Sequence, residues 1–167
     1  SGAEIELVHV EEREKLLRNF LRDVDQLFDV IFIDCPPTLR ILTVNALVAS
    51  RSILVPVQCE YYAMEGLSRL VGNIDRVRQS FNPDLQLEGI VLTMFDARNT
   101  LARQVLAQVR EYFKDVVYDT VIPRNVTLAE APSYGRPAML YNASSSGSQA
   151  YLSLAKEFVS HGEESAR

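Results

Sequence analysis

The chain has 167 residues, 47% apolar and 23% charged, enough for one globular domain with a sizeable core. Its 22 acidic against 17 basic side chains leave a net charge of −5, so no global basic field draws it to nucleic acid or an anionic membrane. Any DNA contact has to come from a local patch. No apolar run approaches the ~20 residues that span a bilayer and no signal peptide opens the chain, which points to the cytoplasm. Cys35 and Cys59 lack CxxC spacing and read as buried free thiols, while His9 and His161 have no ligand-like company.

Residues 1–9 are ambiguous. Ile5 and Leu7 alternate with Glu4 and Glu6 as in an edge strand, yet Ala3, Leu7 and Val10 also fit a helical stripe. From 10 to 26 the period is helical, with Leu16, Leu17, Phe20, Leu21, Val24 and Leu27 on one face. Val30–Ile31–Phe32–Ile33 then run without alternation into Asp34, Cys35, Pro36 and Pro37, as in a strand buried on both sides and stopped by proline. The pattern next predicts a helix over 42–49, a strand over 52–57, a helix over 64–81 ended by Asn82–Pro83, and a strand over 86–94. Asn99 caps a predicted helix to 113, and a fourth strand covers 116–122 before Pro123. A long loop from 124 to 141, a polar hinge over 144–148 and a last helix over 148–160 complete the chain, with 161–167 expected to fray.

Strands alternating with helices predict an α/β fold with a mostly parallel sheet flanked by helices. No internal repeat or biased linker divides the chain. Unusual polar residues gather at the strand ends: Asp34, Gln58–Glu60, Thr93–Asp96 and Pro123–Asn125. Ligands of open α/β sheets bind at that edge. A carboxylate in the position of Asp34 is the Walker B arrangement that helps hold a nucleotide's magnesium, although aspartate also caps turns after strands.

Five blocks go further. Asp34–Cys35–Pro36–Pro37, the run from Pro56 to Leu67 (PVQCEYYAMEGL), Leu92–Thr93–Met94–Phe95–Asp96–Ala97–Arg98, Val121–Ile122–Pro123–Arg124–Asn125–Val126 and Glu130–Ala131–Pro132–Ser133–Tyr134–Gly135 resemble the ParA/Soj chromosome-partitioning ATPases, in the right order. The resemblance covers the chain to about residue 160 as the carboxyl-terminal two-thirds of such a domain, and it favours helix over strand for 3–8. It implies an incomplete P-loop NTPase fold of the deviant Walker A type, because no G-x-x-x-x-G-K-[ST] occurs in the chain. The family's catalytic aspartate and magnesium-ligating threonine belong to the same missing segment. A phosphate cradle and its lysines supply most of phosphoryl transfer, so this chain alone is not expected to hydrolyse ATP or to bind ATP and Mg²⁺ tightly.

The resemblance also assigns roles. Asp34 becomes the magnesium-side carboxylate, direct or through water, and Thr93, Met94, Pro123 and Arg124 lie where the adenine base packs. Arg98 falls on an arginine for nonspecific DNA binding, with Arg103 and Arg110 continuing a basic stripe, or a merely solvated face. Gln58, Glu60, Tyr61 and Tyr62 are candidates for a dimer face or the switch region, while the tyrosine pair reads first as half-buried packing. Three departures stand out: Thr127 replaces a second DNA-binding arginine, 142–146 replaces a more basic segment, and Arg40 replaces a glycine close to Asp34. The implied parent dimerises, meets a ParB-type partner and works on the nucleoid. The alternatives are a truncated paralogue serving as a non-enzymatic interaction module, and a plasmid-partition or septum-positioning relative. The acidic end after Val159 is unsuited to the membrane helix of septum-site proteins.

Overall fold

The computed structural model describes residue 6, residues 10–36 and residues 38–165, with side chains described through residue 162. The helical reading of 3–8 lies outside these residues, Glu6 apart. The chain groups into two compact units, Ser1–Ile53 with Ser68–Leu87 and Leu54–Leu67 with Glu88–Arg167.

In the first unit, α1 (Leu16–Leu21) is flanked by single 3-10 turns at Arg13–Lys15 and Asp25–Leu27, where one helix over 10–26 was expected. Glu12 sits in the left-handed region at φ 50°, which sets the start of the first turn. Asn45, buried on α2 (Ile41–Ala49), donates through Nδ2 to the Arg13 carbonyl at 2.7 Å and accepts from the Leu17 N–H at 3.2 Å. This one amide ties the opening turns to α2. The unit's core joins Leu47 and Val48 of α2 to Ile74, Val77 and Leu85. Asn82 closes it: its Nδ2 donates to the Leu47 and Ser50 carbonyls, both at 2.8 Å, satisfying two acceptors at the end of α2.

The segment over 29–34 is not a strand. Among the described residues nothing forms a ladder with it, and an extended segment outside a ladder makes no regular sheet hydrogen bonds. Phe28, Val30 and Phe32 are exposed rather than buried on two faces, and Cys35 is exposed rather than buried.

Three elements run through both units: β1 (Ser52–Gln58), α3 (Ala63–Ser80) and β2 (Gln86–Thr93). Gln86 N–H donates to the Arg51 carbonyl and Cys59 N–H to that of Thr93, so both strands climb together and the pair is parallel, with α3 as crossover. Ile90, Val91 and Leu92 are fully buried, as an unbroken apolar run predicts, and each such side chain contributes about 1.5–3 kcal/mol.

In the second unit the segment after α4 (Thr100–Phe113) follows the other edge of β2 but makes only isolated parallel bridges, Ile90 to Val117 and Phe95 to Pro123. The expected fourth strand is interrupted because the Asp119 and Thr120 N–H groups turn to the Glu157 carboxylate, at 2.6 and 3.0 Å. Burial works against the charge of Glu157, but hydrogen bonds from Thr120 and Asp119 outweigh it and hold the carboxyl below its ordinary 4.5. The expected long loop contains α5 (Val126–Glu130), a 3-10 turn over Ala131–Tyr134 and α6 (Ala138–Tyr141). The last helix, α7, spans Ser146–Ser165. Val91, Tyr118 and Ile122 form this unit's core, packed by Leu128, Leu154 and Phe158.

Candidate functional site at the strand ends

The carboxyl ends of β1, β2 and the bridged segment meet in the second unit. Thr93 spends its polar atoms on the sheet: its Oγ1 donates to the Val57 carbonyl at 3.3 Å and its carbonyl accepts from Cys59 N–H at 3.0 Å. Its hydroxyl hydrogen is thereby committed to β1, while the hydroxyl oxygen can still accept. Met94 turns through the left-handed region at φ 54°, a conformation disfavoured for a side chain of this size. That turn moves the chain from one neighbour to the other, since Phe95 N–H donates to the Ile122 carbonyl and Arg124 N–H to that of Phe95. Thr93, Met94, Pro123 and Arg124 are thereby brought together, as the sequence predicts, on two adjoining backbones.

The side chains around them are amphipathic. Met94 and Pro123 are partly open apolar groups, and the exposed Arg124 guanidinium stands 3.6 Å from the Glu60 carboxylate. An aromatic ring bounded by thioether, pyrrolidine and guanidinium suits such a ledge. Tyr61 and Tyr62 follow Glu60, edge to face at 5.0 Å, and are 74% and 72% exposed, so the half-buried packing expected of them is not observed.

Beyond β2, Asp96 holds Arg98 in a two-pronged pair, Nε to Oδ1 at 3.0 Å and Nη2 to Oδ2 at 2.9 Å, while Arg98 N–H also donates to Oδ1 at 3.0 Å. Hydrogen bonds from the Arg98 side chain and then its N–H pull the Asp96 pKa down to about 2. Asn99 caps α4 as predicted, accepting from Leu101 N–H at 2.9 Å. Arg103 donates to the Ala97 carbonyl and to Thr100 Oγ1, and Arg110 to the Asp119 carbonyl. The predicted basic stripe is thus exposed but locally hydrogen-bonded. Composition alone missed this pairing; the Asp-x-Arg spacing before a capped helix is the signal that carries it.

Asp34 belongs to the first unit and is exposed on the extended segment. Partial burial and then the Asp34 charge raise the pKa of neighbouring Cys35, which keeps it a thiol rather than a nucleophilic thiolate. Among the described residues no cluster of three or more His, Cys, Asp or Glu is placed to hold a metal. One carboxylate is the protein share that magnesium takes on a nucleotide, with phosphate and water completing the shell. Nothing in the sequence supplies a glycine-rich phosphate cradle. Arg40 occupies the cap position of α2, its carbonyl accepting from Val44 N–H.

Residues 1–87 match the AAA domain family. The chain is 53% identical over 159 residues to the chromosome partitioning protein ParA of Myxococcus xanthus, covering 95% of this chain and 56% of that protein. It is 54% identical over 162 residues to the sporulation initiation inhibitor protein Soj of Bacillus subtilis, covering 97% and 64%. A crystal structure of cobyrinic acid a,c-diamide synthase from Mycobacterium smegmatis with bound ADP and magnesium superposes with a TM-score of 0.68 at 36% identity, covering 81% of this chain and 60% of that one. The chain thus spans less than two thirds of the length of these relatives. On these matches the chain belongs to the ParA/Soj chromosome-partitioning family and has the α/β fold of P-loop NTPases.

Proposed function

We propose that this chain is the part of a ParA/Soj-type partition ATPase that carries the base side of the nucleotide site, the metal-side carboxylate and a DNA-facing arginine surface. The observation that carries the reading is the junction of β2 with the bridged segment, where the left-handed Met94 and the Phe95–Pro123 bridge set Thr93, Met94, Pro123 and Arg124 side by side. ATP is the proposed nucleotide, its ring against Met94 and Pro123. Asp34 is the proposed contact to Mg²⁺, the ion that screens phosphate charge when bound. Arg98 and Arg103 are the proposed contacts to DNA phosphates; such contacts position without reading sequence. Self-association and a ParB-type partner complete the reading, with a cytoplasmic, nucleoid-associated location. Among the described residues no helix is long and apolar enough to cross a membrane.

Turnover is not assigned to this chain. Phosphoryl transfer is positioning plus electrostatic stabilisation of a multiply charged group, and the residues that do this are a phosphate cradle and its lysine. Calorimetry of ATP–Mg²⁺ binding tests the reading, on this chain and on a version extended upstream by a P-loop segment. The extended form is expected to bind and the short form to bind weakly or not at all. Tight binding by the short chain would refute the division of labour.

A further inference from the structure

Arg98 and Asp96 lie two residues apart just after β2, and the pair is asymmetric. The Arg98 side chain is 91% exposed and that of Asp96 only 27%. The acid is tucked against the chain while the guanidinium stands over it, facing water. A guanidinium fork fits one carboxylate or one phosphate edge in the same two-pronged way. Asp96 already fills that edge through Nε and Nη2.

The charge of Asp96 is not needed for the local turn. Its Oδ1 accepts the Arg98 N–H, a role that a neutral asparagine oxygen fills equally. The second oxygen, Oδ2, serves the guanidinium. Arg124 adds to the positive field on Asp96 and itself approaches Glu60 at 3.6 Å. Charges of Glu60, Arg124, Asp96 and Arg98 therefore alternate in sign across the strand ends.

We propose that Asp96 is a built-in competitor for Arg98, so that a DNA phosphate gains this arginine only by displacing the Asp96 carboxylate. The inference rests on the DNA reading given above for Arg98 and adds what tunes it. Exposure keeps the pair exchangeable, since solvent-exposed ion pairs are weak and salt-screened. Asp96 thus lowers the affinity of a sequence-independent contact without removing it.

The test is fluorescence anisotropy with a short labelled DNA duplex of arbitrary sequence, at about 50 and 200 mM salt, where phosphate contacts differ most. Wild type, Asp96→Asn, Arg98→Ala and the double variant are compared. Asparagine keeps the turn, so folding is preserved. Asp96→Asn is expected to tighten binding roughly two- to fivefold at the lower salt, the scale of the exposed pair it removes. Adding Arg98→Ala should abolish that gain. A gain that persists in the double variant reflects only the lost negative charge and overturns the competitor role. Weaker binding by both single variants would make Asp96 a positioning residue for Arg98; that overturns the proposal while the DNA reading stands. No effect of Arg98→Ala in either background overturns the DNA reading of Arg98 and the proposal with it.

Discussion

Tyr118 offers the sharpest test of how the second unit is held together. Its side chain is 1% exposed, and its hydroxyl has no partner within ordinary hydrogen-bonding distance among the described residues, with the Glu88 side chain approaching it. The ring is wedged between Gly89, whose hydrogen side lies directly against it, and His161, whose ring centroid is 4.8 Å away. Burial, followed by the negative charges of Glu88 and Glu157, pushes the Tyr118 pKa up to about 12. A buried hydroxyl without a partner costs about 1–3 kcal/mol relative to water, so Tyr118→Phe, which keeps the ring and removes the oxygen, should stabilise the fold by about 1 kcal/mol. For a chain of this size that raises the thermal midpoint by about 2–4 °C at neutral pH. The pH dependence carries a second signature. A folded pKa raised above 10 gives stability that is fully present below pH 10 and is lost as pH rises from 10 towards 12. Wild type should lose more stability in that window than the phenylalanine variant, which keeps only the smaller losses from groups such as Tyr141. Thermal melts of both proteins at pH 7 and at two pH values above 10 decide it. A variant less stable than wild type at pH 7 would mean that the hydroxyl is satisfied, and the packing account of this core would be wrong.

Gly89→Ala should destabilise by about 1–3 kcal/mol, because a Cβ there falls 2.1 Å from Tyr118 Cε2 inside a filled core; urea melts read it directly. Asn82→Ala leaves the Leu47 and Ser50 carbonyls without their donor and should lower the urea midpoint by the equivalent of about 1–3 kcal/mol at unchanged slope. Glu157→Gln removes a carboxylate whose folded pKa is depressed below 4.5. The stability that this carboxylate adds is present above pH 4.5 and disappears as pH falls through its folded pKa, so wild type and variant should converge in acid. A difference between them that stays constant from pH 7 to pH 3 would count against that clamp.

The elements best read from the sequence are those whose burial is local in pattern. Ile90–Val91–Leu92 lie buried in β2 because an apolar run needs cover on two faces, and the crossover between parallel strands supplies it through α3. Asn99 caps α4 because the reason for asparagine there is contained within three residues. Val30–Ile33 carry an equally strong strand pattern, yet no strand forms among the described residues, because pattern encodes a demand for neighbours and not their presence. The helix over 10–26 fragments for a similar reason: Asn45, 28 residues beyond Leu17, competes for its backbone, and no local window contains that partner. The positions of the strand ends were legible, since strand termini are where polar residues interrupt apolar runs. The hydrogen bonds made there were not. That Thr93 spends its hydroxyl on Val57, or that Asp96 occupies Arg98, depends on where side chains turn.

One long-range acid links these observations. Glu157 takes the Asp119 and Thr120 N–H groups, so the segment leaves the edge of β2 after Tyr118 and rejoins it only at Ile122, whose N–H donates to the Leu92 carbonyl. Because the segment returns there, Pro123 arrives opposite Phe95, and the chain after β2 must swing through Met94 to meet it. The interruption of the fourth strand and the left-handed methionine are therefore two ends of one arrangement. Ordinary ladder pairing through residues 117–122 would carry the segment along β2 without that detour, and the ledge formed by Met94, Pro123 and Arg124 would have no reason to take this shape. A carboxylate on the last helix thus bears on the proposed base-binding edge without touching it, through the backbone amides it removes from the sheet.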